Sequence, residues 1–196
     1  DIGSGTGYFP AYMNKKGWQA TGIEISDAAR KYSADMFGLK AVAPSEIKNL
    51  QAGSADCITF WHVLEHLYNP AEWFEEVLRI LKQEGKCIIA LPNFASADSV
   101  WFGNKWAALD VPRHLWHFTQ RSVEFFAERN GFYCEKTVSL PLDLFYISIL
   151  SYRNQGTRLP LLRGLLTGSF LAVRSFFRKD KSSSLVYVLT KRRSGA

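Results

Sequence analysis

Apolar positions along the first 140 residues alternate between two periods. Asp56–Trp61 (DCITFW) and Lys86–Leu91 (KCIIAL) read as buried strands, while Trp73, Phe74, Val77, Leu78 and Leu81 between them fall at helical spacing. Asn69-Pro70-Ala71-Glu72 opens that helix with a cap, a proline at the first helical position and an early acid, and Gly85 stops it. The same reading predicts a helix over Tyr8–Lys16 closed by Gly17 and a strand over Trp18–Ile25. A helix over Asp27–Phe37 follows, between a Ser26 cap and Gly38, and then a short strand over Leu39–Val42. Farther on, Thr119 caps a helix ending at Asn130-Gly131, Phe132–Leu140 is a strand, and Leu185–Lys191 closes the chain. Strands alternating with helices predict βαβ units, hence an α/β fold with a Rossmann-like, doubly wound, mostly parallel sheet.

Two stretches break the rhythm. After Pro92 it pauses for about 25 residues, long enough to predict a functional loop rather than a plain connector. Residues 141–181 form a basic apolar insertion before the last strand. Within it, Leu159–Lys179 (LPLLRGLLTGSFLAVRSFFRK) places Leu161, Leu162, Leu165, Leu166, Val173, Phe176 and Phe177 on one side of a helical wheel. Arg163, Thr167, Arg174 and Arg178 fall on the other. Two arginines argue against a spanning helix. An amphipathic helix lying on an anionic membrane, a lid over the active site and a dimer contact all remain open.

A length of 196 residues predicts one domain with a sizeable core. Cys57, Cys87 and Cys134 have neither a CxxC spacing nor an even count, which points to a reducing, cytoplasmic compartment rather than a disulfide framework. Residues 1–100 carry nine Lys/Arg against twelve Asp/Glu, and residues 101–196 fifteen against six. The basic half suits an anionic partner: a phosphate-bearing, lipid or glycan-type small molecule, or peripheral contact with the inner membrane surface. The aromatic–basic interleaving of a base-stacking surface is missing, so nothing signals nucleic acid.

The chain opens on Asp1-Ile2-Gly3-Ser4-Gly5-Thr6-Gly7, and Glu24 ends the next strand. Glycines allow a sharp turn and close approach to a ligand, and an acid at the end of the second strand can accept both ribose hydroxyls. The dinucleotide pattern GxGxxG fails in both registers, because its last position falls on Tyr8 or Pro10. That sets aside a nicotinamide oxidoreductase. A turn of this kind ordinarily follows a hydrophobic strand, so the expectation is an N-terminally truncated domain whose first strand is missing.

DIGSGTG followed by GIEIS resembles motif I and the adjacent acidic motif of the class I S-adenosylmethionine-dependent methyltransferases. The similarity continues through ADCITFWHVLEHLYNPAEWFEEVLRILKQEGKCIIALPN and DVPRHLWHFTQRSVEFFAERNGF, strings that mark a small bacterial-type group within that family. The resemblance implies that S-adenosylmethionine is the cofactor and that Asp1 binds its amino group. Gly3, Gly5, Thr6 and Gly7 would lie along it, Glu24 would hold the ribose and Ile25 would pack on adenine. Ser45 stands where the family often has an acid that recognises the adenine amino group.

All four histidines fall in His62-Val63-Leu64-Glu65-His66 and Arg113-His114-Leu115-Trp116-His117. The first string matches the HxxEH pattern of inverted zinc proteases, but it leaves a strand and meets a helix start, so it is not the continuous helix that pattern needs. In one reading His62 takes a proton from the acceptor, and His114 or His117 approaches from the opposite side of the pocket. In another, Glu65, His66 and a histidine of the later loop hold a divalent metal, as in metal-dependent members whose motif has Glu where this chain has His62. In a third, Glu65 and His66 only orient the loop. The expected activity is transfer of a methyl group to an O, N or C acceptor. The rival is a cofactor-binding or membrane-associated accessory protein without catalysis.

Overall fold

The computed structural model describes residues 1–192, apart from the side chains of Arg174, Phe176, Phe177 and Lys179. The expected places of Arg174, Phe176 and Phe177 on the helical wheel therefore lie outside the described residues. The elements are α1 (Tyr8–Lys15), β1 (Gly22–Ile23), α2 (Asp27–Phe37), β2 (Ala41–Val42), β3 (Ala55–Trp61), α3 (Pro70–Ile80), β4 (Leu81–Pro92), α4 (Ala97–Phe102), α5 (Gln120–Arg129), β5 (Phe132–Leu140), α6 (Asp143–Asn154), α7 (Pro160–Phe177) and β6 (Ser184–Lys191).

Ile2 forms parallel bridges to both Ile23 and Phe60, so the opening dipeptide stands between β1 and β3 in the sheet. With β1 paired to β2 and the order β3-β4-β6-β5 beyond, the layer reads β2-β1-Ile2-β3-β4-β6-β5. The pairs β1–β2 and β3–β4 are parallel, whereas β6 runs antiparallel to both β4 and β5. The sheet is thus mixed but mostly parallel, with β6 running against its two neighbours at one side. A cleft of about 830 Å³ lies beside Ile2 at the amino ends of β1 and β3, lined by Ile23, Ile58, Ile80 and Ile88. Gly3, Gly5, Glu24 and His62 do not line it.

Most helix boundaries follow local chemistry. Ser26 Oγ accepts from Ala29 N–H at the start of α2, and Gly38 closes it in the left-handed conformation. Thr119 and Ser122 form a reciprocal capping box at α5. Asn69 holds the cap position of α3 without the cap bond, because its amide donates instead to Glu72 Oε1 at 2.6 Å. The strand expected over Trp18–Ile25 contracts to two residues, since Trp18–Thr21 lie largely in solvent and pair with no strand among the described residues.

The core is aromatic at its centre. Phe74 of α3 stacks on Phe60 of β3 at 6.2 Å and meets Phe126 of α5 and Phe132 of β5 edge-on at 4.8 and 5.4 Å. Phe60, Phe74 and Phe132 are fully buried. Each such ring contributes about 1.5–3 kcal/mol through burial. These contacts pin α3 and α5 to one face of the sheet and hold the carboxyl ends of β3 and β4 in place.

Residues 141–181 fold as a helical hairpin, α6 against α7. The helices approach closely because Gly164 and Gly168 lie where a side chain would strike Ile149 and Phe145. Ser151 fastens the hairpin to the loop after α4 by accepting from Ala107 N–H at 2.9 Å, and Phe102, Trp106, Ala108 and Ile147 form a small second core. A Cβ at Gly164 would lie 2.6 Å from Ile149 Cα. Gly164→Ala should therefore destabilise the protein by about 1–3 kcal/mol, overpacking outweighing the gain in helix propensity. A lowered chemical-denaturation midpoint checks this, and an unchanged midpoint would refute the close packing.

Candidate functional site

The Gly-rich turn is held down by the end of β1. Gly3 N–H and Ser4 N–H both donate to Ile23 C=O, at 2.7 and 3.1 Å. The Glu24 carboxylate, 9% exposed, receives Gly5 N–H on Oε2 and Ser26 N–H on Oε1, each at 2.8 Å. One acid thereby ties the turn to the start of α2. Arg30 adds to this by donating to Glu24 C=O and Ile25 C=O and pairing with Asp27.

Gly5, at φ +53°, has open space where a Cβ would project, with no atom of the described residues within 4 Å of it. Asp1 Oδ1 accepts the hydroxyl of Thr59 on β3 at 2.6 Å. Ile25 is 81% exposed, and Ser45 lies in a short helical turn over Pro44–Asn49. Thr6 and Gly7 complete the turn into α1. An oriented carboxylate beside an open glycine turn and an exposed apolar side chain fits a nucleoside whose ribose lies on Glu24 and whose base packs on Ile25.

The second group of residues gathers beyond β3. His62 takes a left-handed backbone, φ 54°, an uncommon conformation for a β-carbon residue and one often found at functional sites. Its imidazole lies between two carboxylates: Nδ1 is 3.6 Å from Glu65 Oε1, and Nε2 is 3.5 Å from Asp143 Oδ2 at the start of α6. Burial alone would lower the His62 pKa, but the flanking Asp143 and Glu65 more than offset it and push it up to about 9. Burial likewise opposes charge on Asp143, and its His62 contact holds it below the ordinary carboxylate range.

Asp143 was not among the residues singled out from sequence. It stands 81 positions from His62, at the head of a segment whose visible character is apolar and basic, and no spacing rule joins the two.

The loop carrying Asp110, Arg113, His114 and His117 is sewn to the turn after β3. Leu115 N–H and Trp116 N–H donate to Glu65 C=O, and the Trp116 indole donates to Leu67 C=O at 2.8 Å. His66 Nδ1 pairs with Arg113 C=O at 2.9 Å, His114 Nδ1 with Ala108 C=O at 2.8 Å, and His117 Nε2 with Leu109 C=O at 2.8 Å. The rings of His66 and His114 meet edge-on at 4.7 Å. His62 and His114 thus share Glu65 as a neighbour, while the His117 ring lies 5.5 Å from that of Phe94 and 6.4 Å from that of His114.

Glu65 is 1% exposed, and neither of its carboxylate oxygens has a hydrogen-bond partner among the described residues. Glu65, His66 and His114 offer ligand atoms that all lie within 4.8 Å of one another. Both Nδ1 atoms are turned to backbone carbonyls, and His114 Nε2 also stands 3.8 Å from Asp110 Oδ2.

A family profile described as a methyltransferase domain matches residues 1–137. Comparison with curated protein sequences finds no match. Among solved structures, an S-adenosylmethionine-dependent methyltransferase from Archaeoglobus fulgidus is 18% identical with a TM-score of 0.64, over 98% of this chain and 84% of that one. Phosphoethanolamine N-methyltransferase 2 of Haemonchus contortus, in complex with S-adenosyl-L-methionine, is 13% identical with a TM-score of 0.63, over 99% of this chain and 48% of that one. The [4+2]-cyclase SpnF is as similar in fold, 15% identical with a TM-score of 0.68, over 99% of this chain and 75% of that one. Fold likeness alone therefore does not fix the reaction, whereas the family profile covers both the glycine turn and the histidine cluster. The chain belongs to the methyltransferase-domain family, in a fold it shares with S-adenosylmethionine-dependent methyltransferases.

Proposed function

We propose that this enzyme methylates an O, N or C nucleophile of a small or amphiphilic acceptor, seated between His62 and the loop that carries His114 and His117. The observation that carries the reading is the buried Glu24 carboxylate, held by Gly5 and Ser26 beside an open turn at the carboxyl edge of the sheet. Asp1, Gly3, Gly5, Thr6, Gly7, Glu24, Ile25 and Ser45 hold the cofactor. S-adenosylmethionine supplies a methyl group on a sulfonium, an electrophile that needs a nucleophile in line with the sulfur.

The chain contributes alignment more than acid–base chemistry. Holding two reactants in register can supply about 7–11 kcal/mol of a barrier. His62, fixed between Glu65 and Asp143 with both ring nitrogens turned to those carboxylates, forms one wall of the acceptor's seat. Trp116, anchored on Leu67, and the 110–117 loop form the other wall and exclude water. The HVLEH and DVPRHLWHF strings supply these two walls, which supports grouping the chain with relatives that carry both.

A second reading concerns metal. The orphaned Glu65 carboxylate favours a divalent cation on Glu65, His66 and His114, a nitrogen–oxygen donor set suited to zinc, iron or manganese. There the cation would neutralise a buried charge and draw the acceptor oxygen or nitrogen toward the methyl group.

Three outcomes are expected. Glu24→Gln should weaken S-adenosylhomocysteine binding roughly 10- to 100-fold by calorimetry, the weight of a charged hydrogen bond; unchanged affinity would remove the ribose assignment. His62→Ala and Asp143→Asn should slow methyl transfer at least about tenfold while that affinity stays within about twofold, as expected of a group beside the acceptor and of the carboxylate that positions it. The wild-type enzyme dialysed against zinc or manganese should retain one equivalent by elemental analysis, and Glu65→Gln should not; metal-free wild type after dialysis would leave Glu65 a structural role.

A further inference from the structure

The α6–α7 hairpin solves its packing in a way that leaves an apolar surface without a protein partner. Gly164, Gly168 and Leu171 lie on the side of α7 that meets α6, and Leu171 is 1% exposed. The opposite arc carries Leu161, Leu162, Leu165, Leu166, Phe170 and Val173, between 43% and 66% exposed. Trp101 of α4 extends this surface, its ring 5.9 Å from Phe170 and 54% exposed. The helix is therefore apolar on two sides: the glycine side is buried against α6, and the other, apart from the contact of Phe170 with Trp101, stays largely exposed among the described residues. An apolar stripe of this length is far more than the scattered exposed side chains of an ordinary surface.

The charges around it are of one sign. Residues 141–181 carry seven Lys/Arg and two Asp/Glu. Of the two acids, Asp143 is engaged with His62 and Asp180 with Arg178. Arg153, Arg158 and Arg163 are exposed and form no ion pair among the described residues. Also among the described residues, no helix is long and apolar enough to cross a membrane.

We propose that the exposed face of α7 is a docking surface for an anionic lipid bilayer. The helix, about 27 Å long, lies in the plane of the interface with its leucines in the acyl boundary and its arginines among the head groups. Trp101 sits at the level where indoles concentrate in membrane proteins. A second copy of the chain is the poorer occupant. A two-fold dimer through this face would set the same unpaired arginines against their own copies, where like charges repel. An anionic surface satisfies both the leucines and the arginines.

Sedimentation with vesicles tests this on the whole chain. Vesicles of phosphatidylglycerol and phosphatidylcholine should carry the protein down, and vesicles of phosphatidylcholine alone should bind it at least about tenfold more weakly. Leu162→Glu/Leu166→Glu should abolish the interaction. Arg158→Ser/Arg163→Ser should weaken it about fivefold per arginine, and raised salt should do the same. All four positions are exposed, and an unchanged circular-dichroism melt confirms that each variant is folded. Failure of the wild type to bind the anionic vesicles overturns the proposal, as does equal binding to both vesicle types. A wild-type dimer that Leu162→Glu/Leu166→Glu dissociates, with no vesicle binding, assigns the face to a second copy instead.

Discussion

Parallel pairing at the middle of the sheet fixes where every functional group must stand. Ile2 runs parallel to β1 and β3, and β3 runs parallel to β4, so these segments all end at the same edge. The turn after Ile2, the acid after β1 and the histidine after β3 therefore meet there although they are spread over some sixty residues of chain. Backbone hydrogen bonds do the positioning: Gly3 and Ser4 to Ile23, and His62 N–H to Ala90 C=O at 3.0 Å. The aromatic centre around Phe74 is what keeps those ends from shifting, since β3, α3, α5 and β5 all contribute rings to it. Chemistry at the edge thus depends on packing one layer away.

Local signals were legible in the sequence and long-range ones were not. The Ser26 and Thr119 caps, the Gly38 stop and the strand over Phe132–Leu140 could be read directly, because each rests on contacts within four residues or on a strict period. The strand over Trp18–Ile25 was overestimated, because apolar content alone cannot say how many residues find a neighbour to pair with. The antiparallel course of β6 was also invisible, since a residue pattern carries no strand direction. Histidines 62, 66, 114 and 117 could be picked out as chemistry-bearing residues. That His66 would pair with His114 while His62 turned to Asp143 depends on how a hairpin far along the chain folds back, which no local motif encodes.

Glu65 draws these distant pieces together through two parts of one residue. Its carbonyl accepts Leu115 and Trp116 N–H, which fixes the later loop against the turn after β3. Its side chain is buried among imidazoles without a hydrogen-bond donor at proper distance, and such a group costs stability unless something compensates it. The His62 side chain, 3.6 Å away, supplies partial compensation, and Asp143 balances His62 in turn. An alternating row of acid, imidazole and acid is the result, and its far end belongs to α6.

That last link makes the hairpin part of the site rather than an appendage. Asp143 stands at the first position of α6, so any displacement of α6 alters the carboxylate facing His62. The position of α6 is set by α7 through the glycine seam and by the loop after α4 through Ser151 and Ala107. That same loop leads into Ala108 and Leu109, whose carbonyls hold His114 and His117. One rigid hairpin consequently touches both walls of the acceptor space. An apolar face on its outer side then has a mechanical consequence: whatever covers α7 also bears on the two contacts that hold His62 and His114 in place.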